Sequence, residues 1–153
     1  MQSDVTISLR AVVERDIPFL ESLRRTTMRQ VIENHYPWSD AAQRERVLSH
    51  LEYARIISCE GSDIGLLKVV SSDTEIHLSQ VQILPAYQGR GIGRRLIRKI
   101  LEEAASSKLP ITLHVLRSNR AISLYRALGF VVSKEDEHFL FMQWTPKQED
   151  LKQ

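Results

Sequence analysis

The residues best suited to chemistry in this sequence form a glycine-rich turn, Gln88–Gly93, which is followed by several cations. Alternate glycines remove side chains from the path of a ligand and let the backbone approach it. If a helix starts at this turn, its first N–H groups carry positive partial charge and lack partners within the helix. The pattern therefore predicts an anion site that suits phosphate. Five cations lie within ten residues: Arg90, Arg94, Arg95, Arg98 and Lys99.

The spacing of the turn excludes two familiar phosphate motifs. A P-loop needs Gly-Lys-Ser/Thr to begin five residues after its first glycine, and a dinucleotide fingerprint needs a glycine three residues after its second. Arg94 stands at both of these positions. The alternative interpretation is a helix start with a solvated basic face. Such a face could also contact nucleic acid, although positions 90–99 contain no aromatic residue for base stacking.

The turn lies between a predicted strand, Glu75–Leu84, and the strongest predicted helix, Gly91–Ser107. The strand changes phase, because its apolar residues alternate on one face up to Leu78 and then on the other at Val81 and Ile83. A strand that keeps one face in the core needs an extra residue there, which predicts a β-bulge near positions 79–80. The alternative is a strand buried on both faces, in which phase carries no information.

The remaining periodicities predict a mixed α/β domain around one sheet, with the order β-α-α-β-β-β-α-β-α-β-β. A second helix is expected to begin at Ser39 or Asp40 and to carry an apolar stripe that reaches Ala54. A short helix is expected over Asn119–Leu128, ended by Gly129. The other predicted elements are strands 5–11, 56–59, 64–70, 111–116, 130–134 and 138–144 and a first helix over 17–34.

The composition fits one domain over residues 1–153, ordered over roughly residues 4–146 with a frayed polar tail. The hydrophobic fraction of 42% and the charged fraction of 26% permit a core and argue against disorder. A net charge of +2 gives no general attraction to nucleic acid or to a membrane surface. The single cysteine, Cys59, excludes an internal disulfide, and no apolar run or leader indicates a membrane span or secretion. We therefore expect a cytoplasmic protein.

Two segments of the sequence resemble the GNAT superfamily, the acetyl-CoA-dependent N-acetyltransferases. Gln88–Gly93 matches that family's Gln/Arg-x-x-Gly-x-Gly/Ala signature, and Val81–Tyr87 looks like its preceding strand and connection. Asn119–Phe130 is similar to the family's Asn-x-x-Ala-x-x-Leu-Tyr-x-x-x-Gly-Phe segment. The resemblance covers roughly residues 5–144. It implies a single-domain GNAT-like fold with a mixed, mostly antiparallel central sheet, a bulged central strand and about four flanking helices.

The resemblance implies acetyl-CoA as the acetyl donor. No metal is expected, because the histidines include no pair at helical ligand spacing and the sequence has one cysteine. In the family, backbone N–H groups of the glycine turn hold the pyrophosphate of coenzyme A, and the pantetheine arm pairs with the preceding strand like an added strand. The resemblance therefore implies that the backbone of Val81 and Ile83 pairs with this arm and that Asn119 contacts it. The implied pyrophosphate contacts are Gln88, Gly89, Arg90, Gly91, Ile92, Gly93 and Arg94.

Acetyl transfer to an amine passes through a tetrahedral oxyanion, which a backbone N–H near Val81 could stabilise. The resemblance places the hydroxyl of Tyr125 near the sulfur, although its apolar helical face alone suggests a core aromatic. Many relatives carry Glu as the general base at the position of His77, so this sequence departs from the pattern there. An imidazole still suits proton acceptance near neutral pH. Ordered water is the alternative base.

The acceptor side is less defined, and we expect it near the junction of the first two helices. Tyr36 and Trp38 lie in a predicted loop and could form walls of the site, with Glu33 attracting an ammonium group. The alternative is that both aromatics fill the gap between two helices. His138 lies on the last strand, near where relatives close the acceptor site. The histidine positions include no pair at helical metal-ligand spacing.

The sequence as a whole predicts an N-acetyltransferase that moves acetyl from acetyl-CoA to a primary amine of a small molecule or peptide, by direct attack on the thioester. Its partners would be the coenzyme A thioester and the amine, with no nucleic acid and no membrane, in a monomer or homodimer. One alternative is a non-catalytic acyl-CoA-binding sensor. Another is an interaction module that uses the basic helix to bind protein or nucleic acid.

Overall fold

The computed structural model describes residues 5–147, so the predictions for Asp4 and for the tail beyond Lys147 lie outside the described residues. The predicted order of elements is confirmed. The strands are β1 Ile7–Ala11, β2 Ala54–Cys59, β3 Ser62–Ser71, β4 Ile76–Ile83, β5 Ile111–Leu116, β6 Val131–Glu135 and β7 Phe139–Trp144. The helices are α1 Ile17–Glu33, α2 Asp40–Leu48, α3 Ile92–Ser107 and α4 Ala121–Ala127, with short 3-10 turns at 14–16, 51–53 and 85–87.

The strands form a seven-stranded sheet in the order β1-β2-β3-β4-β5-β7-β6. The β4–β5 pair is parallel, whereas the β1–β2, β2–β3, β5–β7 and β6–β7 pairs are antiparallel. The predicted mixed, mostly antiparallel α/β fold with four helices is thus confirmed. The parallel ladder joins Ile76 to Ile111 and His77 to Thr112, and among the described residues it ends there.

The chain divides into two compact units, of which the first holds residues up to Lys68 and residues 80–92. Its core lies where the buried face of α1 meets α2, β2 and β3. That core is a cluster of buried apolar side chains: Leu20, Leu23, Val47, Ala54, Ile56 and Leu66. The stripe at helical spacing in α1 therefore decides which face of that helix is buried.

The second unit holds residues 69–79 and those from Gly93 onward. Its centre is β5, with Ile111, Leu113 and Val115 buried at alternate positions as a strand requires. The predicted stripe of α3 is confirmed, since Leu96, Ile97, Ile100 and Ala104 are buried. That the two units make up one N-acetyltransferase domain over residues 1–153 stays a prediction.

The predicted extent of α2 is wrong, because the helix ends at Leu48. His50 adopts the left-handed conformation at φ 52°, and Leu51 and Ala54 reach the core from a 3-10 turn and from β2 instead. The buried ammonium of Lys68 donates to the carbonyls of Arg46, Val47 and Ser49 and so ends the helix. No local pattern reveals such a cap, because Lys68 is distant in sequence.

The burial of side chains along β4 does not follow a single phase. Ile76, Leu78 and Gln82 are the buried positions of this strand, whereas Val81 and Ile83 are only half-buried. Gln80, the even-numbered position between Leu78 and Gln82, is half-buried as well. Burial therefore does not decide between a bulge at positions 79–80 and a strand covered on both faces, and the bulge stays a prediction. The strand ends at Ile83, one residue before the predicted end.

The short helix α4 begins at Ala121 rather than Asn119, because the side-chain oxygen of Asn119 accepts a hydrogen bond from the Ala121 N–H at 2.9 Å. This arrangement satisfies one N–H group at the helix start. Gly129, at φ +101°, follows the helix end as predicted. None of the described helices is long and apolar enough to cross a bilayer.

One buried carboxylate fixes the connection from β1 to α1. Asp16 is 6% exposed, and both of its oxygens accept hydrogen bonds from the Arg10 guanidinium, at 2.8 and 2.9 Å. The same carboxylate accepts from the Val13 N–H. These donors, Arg10 foremost, lower the pKa of Asp16 to about 2. The carboxylate is therefore a stabilising group only while it is ionised.

We predict that Asp16→Asn lowers the free energy of unfolding at pH 7 by about 1–2 kcal/mol, a range that allows for solvent screening of the partly exposed Arg10. Because the folded pKa lies below the unfolded one, this contribution is complete above about pH 4 and is lost as the pH falls towards 2. Chemical denaturation at several pH values measures it. The matched control is Asp73→Asn, an exposed turn residue. Equal effects of the two substitutions at pH 7 would contradict the assignment.

Candidate active site

The glycine-rich turn lies where the sequence predicts it, between the end of β4 and the start of α3 at Ile92. Gly89 and Gly91 adopt φ values of +76° and +80°, which side chains other than glycine rarely tolerate. An added Cβ at either glycine would meet nothing within 4 Å, so backbone conformation rather than crowding requires glycine here. The first N–H groups of α3 follow directly, and such groups attract an anion.

Side chains of the turn hold it against the end of β4. The Gln88 side chain donates from Nε2 to the Ile83 carbonyl at 2.8 Å, and the Arg90 guanidinium lies 5.2 Å from the centre of the Tyr87 ring. Ile92 is 2% exposed and anchors the first turn of α3 in the core. The remaining members of the predicted set at positions 88–91 and 94 are exposed, and position 93 is half-buried.

The strand before the turn is held close to β3. A Cβ at Gly65 would collide with the Gln82 carbonyl, so only glycine permits this approach of the two strands. Val81 and Ile83, the predicted pantetheine contacts, are half-buried on the opposite phase from Gln82. Gly65 was not predicted from the sequence, although an isolated glycine inside a strand pattern signals a close backbone approach.

His77 belongs to a hydrogen-bonded chain in the second unit. The Thr112 hydroxyl donates to the Glu75 carboxylate at 2.7 Å, and the Thr112 oxygen lies 2.8 Å from Nδ1 of His77. Since the single hydroxyl proton is directed at Glu75, Nδ1 of His77 is the donor to Thr112. The neutral ring therefore carries its proton on Nδ1 and has Nε2 as its basic nitrogen. Thr112 was not predicted from the sequence as a site residue.

The ring of His114 packs against this histidine. The His77 and His114 rings lie edge to face with centres 5.0 Å apart, and the His114 ring stands 4.5 Å from that of Phe141 in the same manner. His77 is half-buried and His114 is exposed. His77 is thus partly shielded from solvent and lies beside a second imidazole.

Tyr125, on α4, is 6% exposed, and its ring packs 5.7 Å from that of Phe130. Burial raises the pKa of its hydroxyl to about 12. The hydroxyl makes no hydrogen bond to any residue in the described part of the chain. It is therefore protonated at neutral pH and able to donate. Asn119, by contrast, uses its side-chain oxygen to cap α4, which leaves its amide nitrogen for any further contact.

The residues predicted for the acceptor side lie in two places. Trp38 donates from its indole N–H to Asp40 at 2.8 Å, and the Arg29 guanidinium lies 5.5 Å from the centre of its ring. Glu33 accepts a hydrogen bond from Nε of Arg29 at 3.2 Å, so the guanidinium partly neutralises the negative charge of this carboxylate. Tyr36 is 42% exposed after the end of α1. The chain of contacts through Arg29 thus joins Glu33 to Trp38 within the first unit.

His138, in the second unit, precedes β7 and lies 3.8 Å from the exposed carboxylate of Glu137. Within residues 5–147 no group of three potential metal ligands lies together.

Comparison with known proteins identifies a family. Residues 51–132 match the family model described as an acetyltransferase (GNAT) domain. The matched residues include β2 to α4 and therefore both the glycine turn and Tyr125.

Several relatives and solved structures are similar to the chain. N-alpha-acetyltransferase RimI of Mycobacterium tuberculosis is 36% identical over 101 residues, which is 61% of this chain and 61% of that protein's own length. Spermidine N(1)-acetyltransferase of Escherichia coli K12 is 25% identical over 93% of this chain and 82% of the relative. The crystal structure of PaiA N-acetyltransferase from Thermoplasma acidophilum, in complex with coenzyme A, superposes with a TM-score of 0.74 at 16% identity, covering 92% of this chain and 99% of that one.

The hydrogen-bonded chain through Thr112 generates a prediction about the tautomer of His77. We expect long-range proton–nitrogen NMR spectra at neutral pH to show His77 with its proton on Nδ1, and Thr112→Val to move part of the population to Nε2, because the acceptor for Nδ1 is lost. The His138 signals serve as an internal control and should be unchanged. An unaltered His77 tautomer in Thr112→Val would contradict the assigned direction of these hydrogen bonds.

Proposed function

The chain belongs to the acetyltransferase (GNAT) family, and on that premise we propose that it transfers an acetyl group from acetyl-CoA to a primary amine of a small molecule or peptide. The observation that carries the proposal is the glycine turn with two left-handed glycines at the start of α3. A turn of this kind presents several backbone N–H groups to one anion, which is what the pyrophosphate of coenzyme A requires.

The residues of the turn fit such a donor. Gly89 and Gly91 leave open space where a Cβ would stand, so the backbone can meet phosphate oxygens directly. Arg90 and Arg94 are exposed beside it and add positive charge. Acetyl-CoA, as the co-substrate, supplies the activated acetyl group. This chain supplies backbone donors that hold it, and Val81 and Ile83 offer strand backbone for the pantetheine arm.

The chain's own groups account for the proton and charge movements that acyl transfer needs. The Val81 N–H would donate to the carbonyl oxygen as negative charge develops on it, the usual role of an oxyanion donor. Nε2 of His77 would accept the proton of the attacking amine, while Glu75 and Thr112 hold the ring in the required tautomer. Both roles require groups that are fixed before the reaction, because reorganisation during the step would raise the barrier.

Tyr125 would stabilise the departing thiolate. Its pKa of about 12 lies well above the value of about 8.5 for a thiol, so full proton transfer to a solvated thiolate would be about 5 kcal/mol uphill. The hydroxyl therefore acts first as a hydrogen-bond donor, and transfer becomes favourable as the thiolate loses its water. The position within the matched family region and the protonated hydroxyl of this largely buried side chain support this role.

On the acceptor side we propose that Trp38 and Tyr36 contact the substrate, with Glu33 and His138 contributing polar groups. The proposal further places the protein in the cytoplasm as a monomer or homodimer that needs no metal and binds neither nucleic acid nor a membrane. The single cysteine, Cys59, is buried and free, which is typical of a reducing compartment.

Release of free thiol from acetyl-CoA over a panel of amines and peptides tests the activity, and calorimetry with coenzyme A tests the donor site. We predict that Gly91→Ala raises the Kd for coenzyme A at least about tenfold, because a strained backbone no longer presents its N–H groups correctly.

Gly61→Ala is the matched control, since Gly61 also has a positive φ, +83°, with nothing within 4 Å of an added Cβ. Both substitutions should lower stability by a similar amount, about 1–2 kcal/mol. Equal weakening of coenzyme A binding by both would count against the turn as the donor site. Binding of coenzyme A without thiol release on any amine would favour a sensor over an enzyme.

We also predict that Tyr125→Phe lowers kcat by about 10- to 1,000-fold, the range that a positioned proton donor supplies. Stability should change little, because the hydroxyl makes no hydrogen bond within the described residues. Steady-state thiol release and thermal denaturation measure the two effects. Tyr53→Phe, at a tyrosine that is 40% exposed, is the control. Near-wild-type turnover in Tyr125→Phe would restrict Tyr125 to a packing role.

A further inference from the structure

A buried guanidinium in the first unit has no negative partner. Arg24, on α1, is 5% exposed, and no carboxylate forms an ion pair with it in the described part of the chain. Its Nε donates to the Gln43 side chain at 2.6 Å and its Nη1 to the Gln80 side chain at 3.5 Å. Three of its five N–H donors thus lack a partner among the described residues. A buried charge is normally paired, so this arrangement calls for an anion.

Two further cations strengthen the positive field around Arg24. Lys68, on β3, is 1% exposed, and Arg46, on α2, contributes from the surface. Burial, together with these neighbouring charges, lowers the pKa of Arg24 to about 10 and that of Lys68 to about 8. Glu52 is the carboxylate that opposes this effect at Lys68. The buried cations Arg24 and Lys68 therefore repel each other, and no ion pair in the described part of the chain offsets this at Arg24.

A buried acceptor lies beside these donors. Gln82, on β4, is 5% exposed, and its side-chain Oε1 has no hydrogen-bond partner among the described residues. Its Nε2 donates to Gln80 at 3.3 Å, and Gln80 is the same residue that Arg24 contacts. An unsatisfied buried oxygen needs an N–H or O–H donor. Gln80 thus links Arg24, which has N–H donors without a partner, to Gln82, which has an oxygen acceptor without a partner.

We infer that Arg24, Gln80 and Gln82 bind the acceptor substrate, and that this substrate is an amine that also carries a carboxylate. The carboxylate would lie against the unpaired N–H groups of Arg24, in the two-pronged arrangement that guanidinium and carboxylate favour. An N–H group of the same molecule would donate to Oε1 of Gln82. This inference rests on the proposed function, because it assigns the acceptor of that reaction.

The position of these residues on β4 suits an acceptor. Gln80 and Gln82 are the neighbours in sequence of Val81, whose N–H is the proposed oxyanion donor. Gln43 and Gln80 are half-buried and Arg46 is exposed, so the group runs from the interior to the surface. A polyamine or another amine without an acidic group would meet repulsion from three cations instead. The charge pattern thus selects amino-acid-like acceptors over purely cationic ones.

Matched pairs of acceptors test the inference: leucine against isopentylamine, phenylalanine against phenethylamine, and lysine against cadaverine. We expect kcat/KM of the wild-type protein, measured by thiol release, to be at least about 100-fold higher for each amino acid than for its decarboxylated partner. In Arg24→Gln, kcat/KM for the amino acids should fall by about 30- to 1,000-fold, while that for the amines should stay the same or rise, because one of the cations that repel them is removed. Arg24→Lys should be intermediate, since it keeps the charge and loses the planar fork.

The control is Arg44→Gln, which removes an exposed cation of α2 that pairs with Glu21. It should leave both classes of acceptor unchanged. Equal losses for amino acids and amines in Arg24→Gln, or a wild-type preference for the amines, would overturn the inference. Tripeptide amides beginning with Asp or with Ala distinguish two sources of the carboxylate. A preference for the Asp peptide over free amino acids assigns the site to an acidic N-terminus, and the opposite preference assigns it to a free amino acid.

Thermal denaturation gives a readout that does not need turnover. N-acetylleucine, which has the carboxylate and an N–H but cannot be acetylated again, should raise the Tm of the wild-type protein and not that of Arg24→Gln. Without ligand, Arg24→Gln should be at least as stable as wild type, because it removes an uncompensated buried charge. No upshift in the wild type, or a strongly destabilised Arg24→Gln, overturns the inference. An upshift that depends on Arg24, with no thiol release on any amine, leaves the anion site standing and refutes the proposed acetyl transfer instead.

Discussion

Backbone hydrogen bonding along β4 is the constraint on which the rest of the structure depends. The parallel ladder between β4 and β5 consists of two residue pairs and ends at His77. On the other side of β4, Gly65 of β3 lets the Gln82 carbonyl of β4 come close, because glycine has no Cβ. Backbone groups of the strand beyond that ladder must be satisfied by other partners. The strand then runs directly into the glycine turn, where two left-handed residues and a helix start add further backbone donors. The stretch from β4 to the start of α3 therefore presents hydrogen-bond donors that come from the backbone and not from side chains.

The elements that local physics determines were predictable from sequence. The stripe of α3 and the positive φ at Gly89 and Gly91 follow from spacing and from the absence of a Cβ, and the structure has them where the pattern puts them. The end of α2 was not predictable, because it depends on a buried lysine distant in sequence, and an apolar pattern could not predict that Gln82 is buried. Lys68 ends α2 by binding its carbonyls, and Gln82 occupies an interior position that the apolar pattern left out.

The residues of the candidate site also differ in how far the sequence alone could predict them. The glycine turn could be found from residue types alone, whereas Tyr125 and His77 were singled out only through resemblance to a family, since a buried tyrosine and a strand histidine have ordinary structural explanations. Thr112 left no signal, because a threonine in a strand is unremarkable until its partners are known. Arg24, by contrast, did leave a signal in the sequence. It stands four residues after Leu20, on the apolar stripe of α1, and a cation on that stripe is either buried or breaks the pattern.

Lys68 and Arg24 show how burial of a cation can serve two different purposes. The Lys68 ammonium has three hydrogens and meets three carbonyls at the end of α2, so its donors are satisfied and its role is to end that helix. The Arg24 guanidinium has five N–H groups and meets two side-chain oxygens, one of them at 3.5 Å. A purely structural cation would gain by completing its hydrogen bonds, as Lys68 does. The incomplete set at Arg24, in the same unit, is therefore better explained by a ligand that completes it than by a need of the fold.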